Sequence, residues 1–268
     1  MAAAAAPPPP ASVPASDAPT PLTGNLHLSG TSRVDSVRVQ DWTASGFTKV
    51  SGSVEVATGR VTGSLTVGGR LTASAISFSG SHRLDGDVQV GGPLRSDGTL
   101  RVAGLLSAGS AELAGSVVVG KSLQVAEDLR WSGMLEAGQD ARAHRVFFRG
   151  RLAIPGTLAA RSIVGEVDTL STAGSIQADW VEIRRKKSIF DLPLFILPPR
   201  PWHELEVQRI EAAEVHLAGV RVRRLKADRI WLGPHTHAEY VEGTIVAQHK
   251  EAHVGPESES PPPPGLSR

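Results

Sequence analysis

The chain has 268 residues, among them 28 Gly but only 6 Phe, 5 Trp and 1 Tyr, a supply that excludes a wide, thick core. It has no Cys, which removes disulfides and thiolate metal centres and accords with a reducing compartment. Lys and Arg total 28 against 27 Asp and Glu, a balance that sets up no strong field toward nucleic acid or an acidic polymer.

Residues 1–22 are mostly Ala, Pro and Ser. Such a segment cannot bury enough apolar surface to offset its ordering, so a disordered tail is expected. It has neither a basic n-region nor an apolar h-region, so no signal peptide is inferred and a cytoplasmic location is expected.

From 23 to 249 one phrase recurs: an apolar residue, four others, an apolar residue, one more, an apolar residue. It reads Leu71/Ile76/Phe78, Leu106/Ala111/Leu113, Ala141/Val146/Phe148, Ile176/Val181/Ile183, Ile210/Val215/Leu217 and Leu225/Ile230/Leu232. The first five starts recur at a nearly constant interval, and Val50, Val67 and Leu84 recur at half of it, which makes the unit about 17 residues. Within each unit apolar and polar residues alternate, as in Ser53-Val54-Glu55-Val56 and Asp87-Val88-Gln89-Val90, so the units are strands and not helices. Corners rich in Gly, Ser and Asp-Gly separate them, where positive φ or small bulk is needed. The predicted fold is all-β: a parallel β-helix with three short strands per coil and about twelve coils, on the order of 55 Å long at the usual strand spacing.

Residues 184–204 interrupt the repeat. Arg184, Arg185, Lys186 and Lys187 precede an apolar, Pro-broken run containing Ile189, Phe190, Leu194, Phe195, Ile196 and Leu197, with Trp202 beyond. The four prolines at 193, 198, 199 and 201 cannot donate to a central ladder, so a loop leaving the wall is expected. A polybasic patch beside an apolar wedge pairs two anchoring signals, so these residues are expected to contact a membrane surface, the solenoid itself or another subunit. Residues 250–268, rich in Glu, Ser and Pro, form the second expected disordered tail. Both tails are candidates to bind other proteins.

A solenoid leaves unpaired backbone groups and an open core at its two ends. No amphipathic helix precedes Leu26, while 233–245 is a candidate cover for the other end. The expected end residues are Leu26, Leu28, Val37 and Val39 on one side and Ile230, Leu232, Tyr240 and Val241 on the other. Uncapped ends of equal cross-section would stack subunit on subunit.

The wording Ile210-Glu211-Ala212-Ala213-Glu214-Val215-His216-Leu217, echoed by Leu225 to Pro234, resembles the bactofilins and related polymer-forming cytoskeletal proteins of bacteria. The corners Gly52-Ser53-Val54 and Asp85-Gly86-Asp87-Val88 are similar too, and the resemblance covers about 45 to 245. It implies a right-handed β-helix with disordered tails that polymerises end to end without nucleotide, often near a membrane.

Site chemistry is sparse. Asp85 and Asp87 are the best carboxylates for a polysaccharide-cleaving site, but both fall in a repeated corner and read as a solvated turn. His235 and His237, with His249 and His253, lack a completing carboxylate, so no metal site is expected. The runs Arg184–Lys187 and Arg221, Arg223, Arg224 and Lys226 lack interleaved aromatics, so nucleic acid is not an expected partner. The six-residue apolar period of an acyltransferase β-helix fails at Ser79, after Val61, Val67 and Ala73. The expectation is a self-polymerising scaffold with no catalytic residue, cofactor or metal; a capped monomeric β-helix binding module is the alternative, and a polysaccharide-active enzyme the third.

Overall fold

In a computed structural model, residues 22–185 and 205–255 are described. The expected tails, apart from Leu22 and 250–255, lie outside them, as do Lys186, Lys187, Ile189, Phe190, Leu194, Phe195, Ile196, Leu197 and Trp202. The described residues contain strands and no helix: β1 (Asn25–Leu28), β2 (Thr31–Val34), β3 (Val37–Val50), β4 (Val54–Val67), β5 (Leu71–Leu84), β6 (Val88–Val102), β7 (Leu106–Val119), β8 (Leu123–Val125) and β9 (Asp128–Ala137). Next come β10 (Ala141–Arg142), β11 (Arg145–Ala159), β12 (Ser162–Val167), β13 (Ser171–Arg185), β14 (Leu205–Leu217), β15 (Val220–Leu232), β16 (His237–Gln248) and β17 (His253–Val254). Every pairing is parallel, and together they form one wound sheet, a β-solenoid.

The repeat seen in the sequence is the register of the ladder: Val37 faces Val54, Val54 faces Leu71 and Leu71 faces Val88. Inward positions therefore stack into continuous apolar columns, while the alternating positions face out. The core is accordingly thin and long, one cluster running from Val37 to Ala252.

The strands are longer than the expected three per coil, because β3 to β7 continue through a corner without losing their partners. The reason is a column of glycines in register: Gly46, Gly63, Gly80, Gly98, Gly115, Gly133 and Gly150, with φ between +91° and +124°. A Cβ at any of them would stand within 2.5 Å of the carbonyl oxygen one coil away. Both the left-handed backbone and the close approach demand Gly. At Gly52, Gly69 and Gly86, in another corner, φ is ordinary and only the close approach excludes a side chain.

The coil narrows along its axis. Leu205 pairs with Val220, a shorter period than the one that sets Val37 against Val54, because two corners have each lost a position. The corner after Leu217 holds only Ala218 and Gly219, and the one after Val222 only Arg223 and Arg224, where the corner after Val50 holds Ser51, Gly52 and Ser53. The stretch from Ile176 to Ile210 is one coil plus an insertion, since these two residues pair directly. The wall also runs beyond its expected end: 237–248 forms a further layer, not a cap, and β17 lies within the expected C-terminal tail.

Several inward positions depart from apolar stacking, Thr48, His82, Ser96 and Ser171 among them, and His82 is the titratable one of these four. His82 stands in a column between Leu65 and Leu100, is 2% exposed, packs its ring 5.0 Å from Phe78, and neither ring nitrogen has a hydrogen-bond partner. Loss of hydration holds it below the ordinary value of 6.5, offset in part by the Ser79 backbone.

Two outcomes are expected. Gly98→Ala, forced to positive φ against Gly80, should destabilise the chain by about 3 kcal/mol in denaturant melts. For His82, the unfolded chain takes up the proton more readily, so stability is full above pH 6.5 and falls as pH drops below it. His82→Leu should add about 1–2 kcal/mol at neutral pH and remove that part of the acid slope; an unchanged slope would refute the assignment.

Candidate assembly and docking surfaces

At the N-terminal end, β1 and β2 pair only with β3, and among the described residues nothing covers their outer edge. Leu26 stacks on Trp42 and Leu28 on Ala44, and both remain partly exposed. Val39 is also partly exposed, whereas Val37 is buried. The four residues expected at this end thus share the outermost coil.

At the C-terminal end Tyr240 and Val241 lie on the last long strand, with Tyr240 59% exposed. Ile230 and Leu232 do not form the end. They are buried one layer in, beneath Ile245 and Gln248, because the wall continues past Gly233-Pro234. Among the described residues six large apolar side chains are exposed, and four of them, Tyr240, Ile245, Val246 and Val254, belong to β16 and β17. Sequence reasoning missed Ile245 as an end residue, although it follows Ile230 by the shortened period of the last coils.

The outer faces are laced by ion pairs between coils. Arg38 meets Glu55 at 3.3 Å, Arg145 meets Asp128 at 2.7 Å and Arg149 meets Glu166 at 3.1 Å. Partial burial opposes ionisation of Asp128, but Arg145 and Arg130 together hold its carboxyl below the usual range. The run Arg221 to Lys226 is dispersed into the same lattice. Arg223 meets Glu239 at 3.8 Å, Lys226 meets Glu242 at 2.6 Å, and Arg221 lies in register between Glu206 and His237. At the root of the insertion, Arg184 pairs with Glu182 and Arg185 lies in register with Val167.

Aromatic rings gather on the outside of the C-terminal coils. Trp180 stacks on His216 at 4.9 Å, and His216 on Trp231 at 4.2 Å with 7° between the planes. His216 Nε2 lies 3.0 Å from Glu214, which also binds Arg229. Trp131 and Phe148 also stack, at 4.6 Å, but inside the wall, where Gly165 leaves room for the Phe148 ring.

Asp85 and Asp87 both lie in the corner between β5 and β6. Asp85 accepts from Arg83 at 2.8 Å, and Asp87 accepts the Leu105 N–H at 2.9 Å. His235 lies 3.4 Å from Glu251, while His237 and His253 are neighbours in register. Among the described residues no group of three or more His, Asp or Glu is placed to hold a metal ion, and no helix is long and apolar enough to cross a membrane. Compared with protein-family models, with curated proteins and with solved structures, the chain matches none of them.

Proposed function

We propose that this protein is a scaffold whose activity is nucleotide-independent self-assembly through the ends of its solenoid. The observation that carries this reading is the state of those ends. Each terminal coil has an outer strand edge without a partner among the described residues and inward side chains that are only partly covered. Monomeric repeat proteins close their stacks with polar terminal repeats, whereas this chain has Ile245, Val246 and Val254 exposed at one end and Leu26 and Leu28 half-covered at the other. An unpaired edge beside apolar surface is a template for another chain. The outer faces, by contrast, carry many ion pairs between coils.

Negative-stain electron microscopy of the purified chain without nucleotide, at two salt concentrations, should show unbranched filaments one solenoid wide. Val39→Asp and Ile245→Asp each place a charge in a joint and should yield dispersed rods of roughly 55 Å with an unchanged circular dichroism spectrum. Leu232→Asp is the wrong probe, because Leu232 is buried and the charge would unfold its own coil. Normal filaments from both end variants would overturn the proposal, and dispersed rods from the unmodified chain would point to a monomeric binding module.

A further inference from the structure

We propose that the outer face carrying Trp180, His216 and Trp231 is the docking surface for the chain's own apolar run at 188–199. The inference is independent of assembly at the solenoid ends.

The face is unusual for its place. Outward positions on this wall are mostly Arg, Glu, Ser and Thr, yet here two indoles and an imidazole stack ring on ring, at 4.9 and 4.2 Å, and all three remain partly exposed. Such a row presents its ring edges outward as an apolar strip framed by charge, with Glu214 3.0 Å from His216 and the Arg229 guanidinium 5.7 Å over the Trp231 ring.

Chain length supplies the occupant. Arg185 stands opposite Val167, and Leu205 opposite Ser171. The coil beneath closes the same gap with only Asp168, Thr169 and Leu170, whereas the whole of 186–204 separates Arg185 from Leu205. Most of that length is therefore surplus to closing the coil. Doubled back at about 3.3 Å per residue, the surplus reaches roughly 25 Å from the wall exit, and the step back along β13 from Arg185 to Trp180 spans only about 17 Å.

Between the exit and the rings stands the Arg184–Glu182 pair, with Glu182 in register with His216. In the coil next to the exit the corner holds only Ala218 and Gly219, and a Cβ on Gly219 would come 3.0 Å from Arg185. Ile189, Phe190, Phe195 and Leu197 supply apolar surface to match the rings. Covering one with the other removes both from water, at about 25 cal/mol per Å².

The test uses the full chain at low concentration with thermolysin, reading cleavage within 188–199 by mass spectrometry. The run should resist cutting, and Trp231→Ala or His216→Ala should speed cleavage about tenfold while the melting curve is kept. Since the chain has no Cys, a second readout is direct: Phe195→Cys with Ala218→Cys should be joined within one chain by a short bismaleimide. This readout decides the matter if either ring variant fails to fold. Equal cleavage in the unmodified chain and the ring variants, or no intrachain cross-link in the folded double variant, would overturn the proposal. So would protection that appears only at high protein concentration, marking a second copy as the occupant, or only with vesicles containing anionic lipid, marking a membrane.

Discussion

Parallel pairing in register is the constraint on which everything else in this molecule depends. Each residue sits one strand spacing, about 4.8 Å, from its counterpart in the coils above and below. Whatever chemistry occupies a position is therefore repeated along a column, and a column must be compatible with itself. Apolar columns satisfy this by burial. Although Arg83 stands in register with Arg101 and Arg209 with Arg224, many charged positions satisfy it by changing sign from coil to coil, as Arg95 over Glu112 and Arg149 over Glu166 do. Such exposed pairs contribute little stability individually; their service is to prevent like charges from stacking at that distance.

The same constraint governs shape. A corner with a left-handed backbone in one coil obliges the next coil to turn in the same way, and the carbonyl that points across the gap leaves no space for a Cβ. That is why one glycine becomes a column of seven. Bulk is negotiated similarly within the core: the Phe148 ring fills the space a side chain on Gly165 would need, and Ile76 fills the space beside Gly59, so a large side chain borrows the volume its neighbour gives up. A change at one position is thus felt in the adjacent coils before it is felt across the core.

Much of this was legible in the residues. Alternation and the constant interval are direct consequences of strand pleat and register, so fold class and coil length could both be read from intervals such as Val50/Val67/Leu84. What was not legible depended on where pairing stops. Gly233-Pro234 reads as an ending, but Pro234 occupies a corner and the ladder resumes at His237, which moved the C-terminal edge outward and buried Ile230 and Leu232. The Trp180, His216 and Trp231 stack was equally hidden. Trp180 and His216 lie on opposite sides of the insertion, and His216 and Trp231 are closer in the chain than one early coil is long. Neither interval marks neighbours until the insertion is subtracted and the coil is seen to shorten.

Several of these changes converge on one coil. Between 162 and 179 the glycine column ends, with Val167 facing Gly150; the register against β11 slips; and Leu170 stands exposed. The next coil releases the insertion, and beyond it the shorter period holds. On the N-terminal side of this junction the wall is nearly uniform, which is what a rigid spacer requires. On its C-terminal side lie the aromatic face, the basic insertion root and the most exposed end. A uniform stack has no means of marking one position as different from the next, so distinct surfaces arise where the repeat is broken, and the insertion and the shortened coils lie from β13 onward.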